Sequence, residues 1–136
     1  MPRPPKSLLR DVCWSFSEPV PGSSAELIKA AQDYAAEIET GDPRDDLLQA
    51  LPFADVRIKY AYGVRTPSGE WQECEAEVRV VGAQYTRLTG ADLLWELHVA
   101  CGSTVGNDDH HFFEGFELVG EGKQGEPPTY RVSLGS

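Results

Sequence analysis

Two stretches of alternating residue type constrain this chain more than any other feature: DVRIKYAYGV (55–64) and EWQECEAEVRVV (70–81), separated by Arg65 and TPSG. In the first, Val56, Ile58, Tyr60, Tyr62 and Val64 share one side, while Arg57, Lys59 and Arg65 share the other. In the second, Cys74, Ala76, Val78 and Val80 oppose Glu73, Glu75, Glu77 and Arg79. A period of two marks a half-buried strand, and a turn sequence between two such runs makes a hairpin. Setting the basic row beside the acidic row requires an odd number of loop residues. A turn at Pro67–Ser68 with Gly69 left-handed supplies it, so the charged face is expected to be solvated and self-neutralising.

Such a hairpin buries its apolar side only against another layer. SSAELIKAAQDYAAEIETGDP predicts a helix: Ser23 and Glu26 have capping-box spacing, and Leu27, Ile28, Ala31, Tyr34, Ala35 and Ile38 form one stripe. Gly41 suits the left-handed position at its end and Pro43 prevents continuation. A short helix over PRDDLLQAL follows, with Asp42 as cap. TGADLLWELHVACG predicts a second main helix, capped by Thr89 with Asp92 and ended by Gly102, with Leu94, Leu97, His98 and Cys101 on one stripe. DVCWSF (11–16) is a short strand candidate, and HFFEGFELV and PTYRVSLG read as two final strands joined by a glycine-rich loop. The fold class expected is α+β, a two-layer sandwich. Its largely antiparallel sheet of about five strands carries two main helices on one face, in the order β-α-(α)-β-β-α-β-β. Residues 11–136 are expected to form a single domain behind a flexible, basic, proline-rich arm over residues 1–10.

The formal net charge of −10 excludes the commonest routes to nucleic acid or anionic lipid, because the phosphate contribution would be repulsive. No apolar run reaches the roughly 18 residues of a membrane span, and the start of the chain does not read as a signal peptide. Cys13, Cys74 and Cys101 are widely spaced and odd in number, which favours reduced thiols and a cytoplasmic location. No phosphate-binding loop, dinucleotide fingerprint or nucleophile elbow is present, so no cofactor and no enzyme class is implied.

Charge distribution points to one segment. From Leu88 to Gly122 there is no Lys or Arg, and the window holds seven acids and all three histidines. Its centre is GNDDHHFFEG (106–115). Carboxylates beside imidazoles favour the protonated ring, so raised histidine pKa values are expected wherever desolvation does not prevail. Three chemistries suit these residues. His98 and Cys101, one helical turn apart, are candidate metal ligands with His111. Asp109, His110, His111 and Glu114 are candidate catalytic groups, Glu114 because simple alternation places it beside Phe112 and Phe116. Gly115 leaves that register open, since a glycine inside a strand often marks a bulge. The third reading is a turn: Gly106, Asn107, Asp108 and Asp109 bond readily to their own backbone.

Trp71 falls on the charged face of its strand, and Trp95 leaves its helix away from the apolar stripe. Both are candidate partner contacts, together with Asp108, Asp109 and Glu117. Two functions are therefore expected to compete. One is an acidic inhibitor, immunity-type or adaptor protein engaging a basic protein surface. The other is a ligand-binding or enzymatic domain with a cleft lined by His, Asp and Glu, holding a divalent metal. A monomer or a homodimer fits either, a dimer forming through the face around Trp95 or an edge strand near Val132.

Overall fold

A computed structural model describes residues 3–135. In chain order the elements are β1 (Ser7–Leu8), β2 (Trp14–Ser15), α1 (Ser24–Glu37), α2 (Arg44–Leu48), β3 (Asp55–Arg65), β4 (Trp71–Val81), α3 (Gly90–Cys101), β5 (Phe112–Gly120) and β6 (Thr129–Gly135). Short 3-10 turns flank α3 at Ala83–Tyr85 and Val105–Asn107. The strands form one six-stranded sheet in the order β1-β5-β6-β3-β4, with β2 also on β5. Its pairs are antiparallel except β3 with β6. This is the expected α+β architecture, with one strand more than predicted.

β3 and β4 pair along their whole length, from Asp55 opposite Val81 to Arg65 opposite Trp71. The Thr66 N–H donates to the Glu70 carbonyl at 2.8 Å, and the Gly69 N–H donates to the Thr66 carbonyl at 2.9 Å. Gly69 has φ 87°, the left-handed geometry that glycine adopts without steric cost. Three residues thus close the loop, and the odd count sets Lys59 opposite Glu77 on the outer face. Asp55 receives two bonds from Arg79, Nε to Oδ1 at 2.9 Å and Nη2 to Oδ2 at 2.5 Å. That guanidinium holds the Asp55 carboxyl below its ordinary pKa.

Helix ends follow local chemistry. Ser23 Oγ accepts the Glu26 N–H at 3.1 Å, and Thr89 with Asp92 forms a complete capping box. Asp42 Oδ1 accepts the Arg44 N–H at 2.9 Å, but Pro43, not Asp42, is the N-cap of α2, and no side chain caps it, so the expected Asp42 cap is shifted by one residue. The end of α1 departs from expectation. Glu39, not Gly41, takes the left-handed conformation (φ 57°), and the Thr40 N–H reaches the Ala35 carbonyl at 2.9 Å. This six-to-one closure ends the helix two residues early.

The start of the chain is not a free arm from Pro5 onward. Ser7 and Leu8 pair with Glu117 and Phe116, Leu8 enters the core, and the Tyr130 hydroxyl donates to the Pro5 carbonyl at 2.7 Å. β1 and β2 are two halves of an interrupted edge strand along β5. The break between them, where Leu9 has φ 55°, lies over Gly115, which has φ 108°. A Cβ on Gly115 would sit 3.1 Å from Arg10 Cα and 3.2 Å from the Leu8 carbonyl oxygen. The resulting bulge turns both Phe113 and Phe116 inward and leaves Glu114 exposed.

Beneath the sheet one cluster joins Val56, Ile58, Phe113, Phe116 and Tyr130 to Leu27, Leu47, Leu93, Leu94 and Leu97 of the helices. Each such side chain stabilises by about 1.5–3 kcal/mol when fully buried. β6 runs inside the sheet and Val132 is buried, so the expected edge near Val132 does not exist. Among the described residues, no helix is long and apolar enough to cross a membrane.

Candidate functional site

The residues of the acidic window do not converge. His98, with no exposed surface, lies between Trp14 and Phe16 at centroid distances of 5.8 and 5.3 Å. Its Nδ1 accepts the Trp14 indole N–H at 3.2 Å, which places the proton of the neutral ring on Nε2. Nε2 has no hydrogen-bond partner among the described residues. Burial lowers the His98 pKa. The nearby backbone of Phe16 and Glu18 pulls the other way, outside full hydrogen-bond geometry. Desolvation therefore wins here, and the acids of the window do not raise this ring. Cys101 is likewise buried, its thiol pushed up to about 12. Cys101 therefore offers no accessible thiolate, and the enclosed His98 ring has one nitrogen engaged by Trp14, so the pair does not make a metal site. No group of three or more His, Cys, Asp or Glu could hold a metal ion among the described residues.

His111 sits elsewhere, directly before β5 and against β2. Its Nδ1 lies 2.9 Å from Ser15 Oγ, which is 2.7 Å from Ser17 Oγ. Serine beside histidine is the raw material of a nucleophile, but Ser15 is only 3% exposed. The contact instead ties β2 to the start of β5, where the Phe16 N–H also donates to the His111 carbonyl at 2.8 Å. Asp109, His110 and Glu114 are exposed, and Glu114 lies over Gly135. The desolvated Glu114 that alternation suggested is thereby corrected by the Gly115 bulge.

Asp108 has a structural task. Among the described residues β3 and β6 pair from Arg57–Thr129 to Lys59–Arg131, and beyond this stretch the two strands leave a crevice of about 390 Å³. Asp108 Oδ2 accepts the Gly63 N–H there at 2.8 Å, replacing the partner that β6 no longer supplies. His110, Glu73 and Arg131 line the same opening. The field of the window is also partly quenched. Arg131 stands opposite Glu117, and Arg3 approaches Glu121 at 4.0 Å.

The two tryptophans divide. Trp71 is 63% exposed and lies over Gly63, where a Cβ would come within 3.0 Å of the indole. The Arg65 guanidinium stands 5.0 Å from its ring centroid. Trp95 is half-buried, its indole N–H donating to the Pro21 carbonyl at 2.7 Å. Its ring is a strut, not a free anchor, and the dimer face expected around it loses its aromatic centre.

That strut builds a feature the sequence reading missed. By pinning Pro21, Trp95 holds the Glu18–Pro21 segment against α1, leaving a groove of about 390 Å³. Glu18, Glu26, Asp33 and Glu37 line it, with Tyr34, Trp14 and Pro19 as apolar walls and no Lys or Arg among the lining residues. Lys29 bonds Asp33 at 2.5 Å, but Glu18, Glu26 and Glu37 make no ion pair among the described residues. The Tyr34 hydroxyl is held above its ordinary pKa by burial first, and then by its electrostatic neighbours Cys13, Glu18 and Glu37. A signal was available: residues 11–50 carry nine acids against two bases, and Glu26, Asp33 and Glu37 share one helix face. The segment that closes over them was not legible. Set against protein families, curated proteins and solved structures, the chain matches no family model, no curated protein and no solved structure.

Proposed function

We propose that this is an acidic binding protein, of inhibitor, immunity or adaptor type, that engages a basic surface on a partner protein. The observation that carries the reading is the α1 groove, where three carboxylates without counter-ions surround an aromatic wall. Keeping like charges together costs free energy, and a cationic partner that enters relieves it. Tyr34 and the exposed Val20 (48%) offer apolar contact beside the charge, the mixture that anchors an interface. Such a field also steers a basic partner and makes association sensitive to salt. Three unpaired cysteines suit a reducing, cytoplasmic setting, and the acid balance argues against nucleic acid.

The alternative, a catalytic or metal-holding cleft, has less support. It asks His98, Asp109, His110, His111 and Glu114 to converge, and they occupy the core, the β2 junction and open surface.

Affinity capture with the wild type and with the Glu18→Gln/Glu37→Gln variant tests the reading. A basic protein retained by the wild type, released by added salt and lost from the variant is the expected result. Retention indifferent to both salt and substitution would defeat the proposal.

A further inference from the structure

β4 is the free edge of the sheet, and its unpaired side is chemically patterned. Gly82 N–H donates to the Ala54 carbonyl, and Thr66 N–H to the Glu70 carbonyl. Those bonds fix the alternation of the ladder. The even-numbered residues of β4 bond to β3, while Glu73, Glu75, Glu77 and Arg79 point their N–H and C=O groups outward. The same odd-numbered residues hold their side chains on the outer face, so the edge presents Trp71, Glu73, Glu75 and Glu77 in one row. Glu73 and Glu77 make no ion pair among the described residues, whereas Glu75 is shared by Arg131 and Lys59. On the inner face, Cys74, Ala76 and Val78 are small and only half-buried, leaving apolar surface beside the edge.

Glu73, Glu75 and Glu77 set three carboxylates at alternate positions along the edge, with Arg79 beyond them, so an extended segment with cations at alternate positions over those three complements the charge of the edge. Its main chain would bond the outward groups of Glu73, Glu75 and Glu77. Its Lys or Arg side chains would lie over the glutamate row, and the residues between them over Cys74, Ala76 and Val78.

We propose that the free edge of β4 is a docking site for an extended cationic segment of a partner protein, which adds to the sheet as a further strand. This deepens the reading of the protein as a binder of basic partners, and it concerns a surface separate from the α1 groove.

The probe is a fluorescein-labelled peptide of seven alternating lysine and threonine residues. Its control carries the same residues with the lysines in one block. Binding is followed by fluorescence anisotropy and by amide hydrogen exchange. The alternating peptide is expected to bind at least about tenfold tighter than the block peptide and to slow exchange at Glu73, Glu75 and Glu77. Glu77→Pro removes an outward donor and no bond to β3, so the fold, checked by circular dichroism, should survive while binding falls about tenfold. Glu73→Lys/Glu77→Lys provides a second test without proline and should bind more weakly by a similar factor. Equal binding of the two peptides, or undiminished binding to both variants, would overturn the proposal. Glu18→Gln/Glu37→Gln should bind the peptide as the wild type does. Peptide binding lost there but kept in Glu77→Pro would overturn the edge and leave the groove standing.

Discussion

On the outer face of the sheet, Glu75 lies 2.9 Å from Arg131 and 4.0 Å from Lys59, and Asp55 is gripped by Arg79. Around the α1 groove, Glu18, Glu26 and Glu37 stand with no cation within ion-pair distance among the described residues. Both regions are rich in carboxylates, but the sheet face commits Asp55 and Glu75 to its own fold, whereas Glu73 and Glu77 at its edge and Glu18, Glu26 and Glu37 around the groove make no ion pair among the described residues. Residues 51–87, which contain the hairpin, carry five acids and five bases, whereas residues 11–50 carry nine acids and two bases. The difference teaches that net charge locates nothing. A carboxylate beside an arginine supports a strand pair, and one left beside other carboxylates lowers stability unless something outside the chain approaches it.

The largest expected effect removes what the two regions share. Phe116 is fully buried beneath β5, and Phe116→Ala should cost about 3–5 kcal/mol, unfolding sheet face and groove in one transition by denaturant titration. Two separate transitions would mean that the regions do not rest on a common core. Next is Gly115→Ala, in which an L side chain must accept φ 108° and press on Arg10 and Leu8. A loss of about 1–3 kcal/mol is expected, with faster hydrogen exchange at Ser7 and Leu8 and little change around α1. Unaltered exchange at β1 would show that the bulge does not hold the chain start.

Acid should separate the regions further. The His98 pKa is lowered by burial, so the unfolded chain binds its proton more readily than the native one. Its neutral form therefore contributes stability that is present above the ordinary histidine value of about 6.5 and is lost as pH falls toward the folded value. Asp55, also lowered, gives stability that is present above about 3.9 and lost only in stronger acid. Denaturant titrations stepped downward from neutral pH should show the helix-side loss first. His98→Leu should flatten that first limb and leave the second. An unchanged first limb would remove His98 as its source.

The smallest effects bear most directly on function. Glu75→Gln should cost no more than about 1 kcal/mol, because the two ion pairs it breaks, with Arg131 and Lys59, are solvent-accessible. Glu37→Gln should leave the melting temperature unchanged or raise it slightly, because it removes repulsion. Equal destabilisation by the two substitutions would dissolve the distinction between structural and available carboxylates.

Much of the fold was readable because its signals are local. The Ser23 and Thr89 caps, the hairpin register set by Gly69 and the buried stripe of Leu94, Leu97, His98 and Cys101 all came from neighbours within a few residues. Errors gathered where one strand had to accommodate another. Gly115 changed faces because the chain start crosses over it, and Glu39 ended α1 before the more permissive Gly41 was reached. The site was less legible than the fold. Trp71 was correctly placed on the charged face, but the crowded DDHH segment proved to be divided between a strand crevice, a serine contact and open surface.

By itself the sequence determined the period of the β3–β4 hairpin, the starts of α1 and α3 and the total charge, because these depend on residues adjacent in the chain. Only the tertiary structure decided which carboxylates meet an arginine and which remain together. Charges interact through space, and the distances that govern them, such as Arg131 to Glu75 across fifty-six positions of chain, exist only after folding.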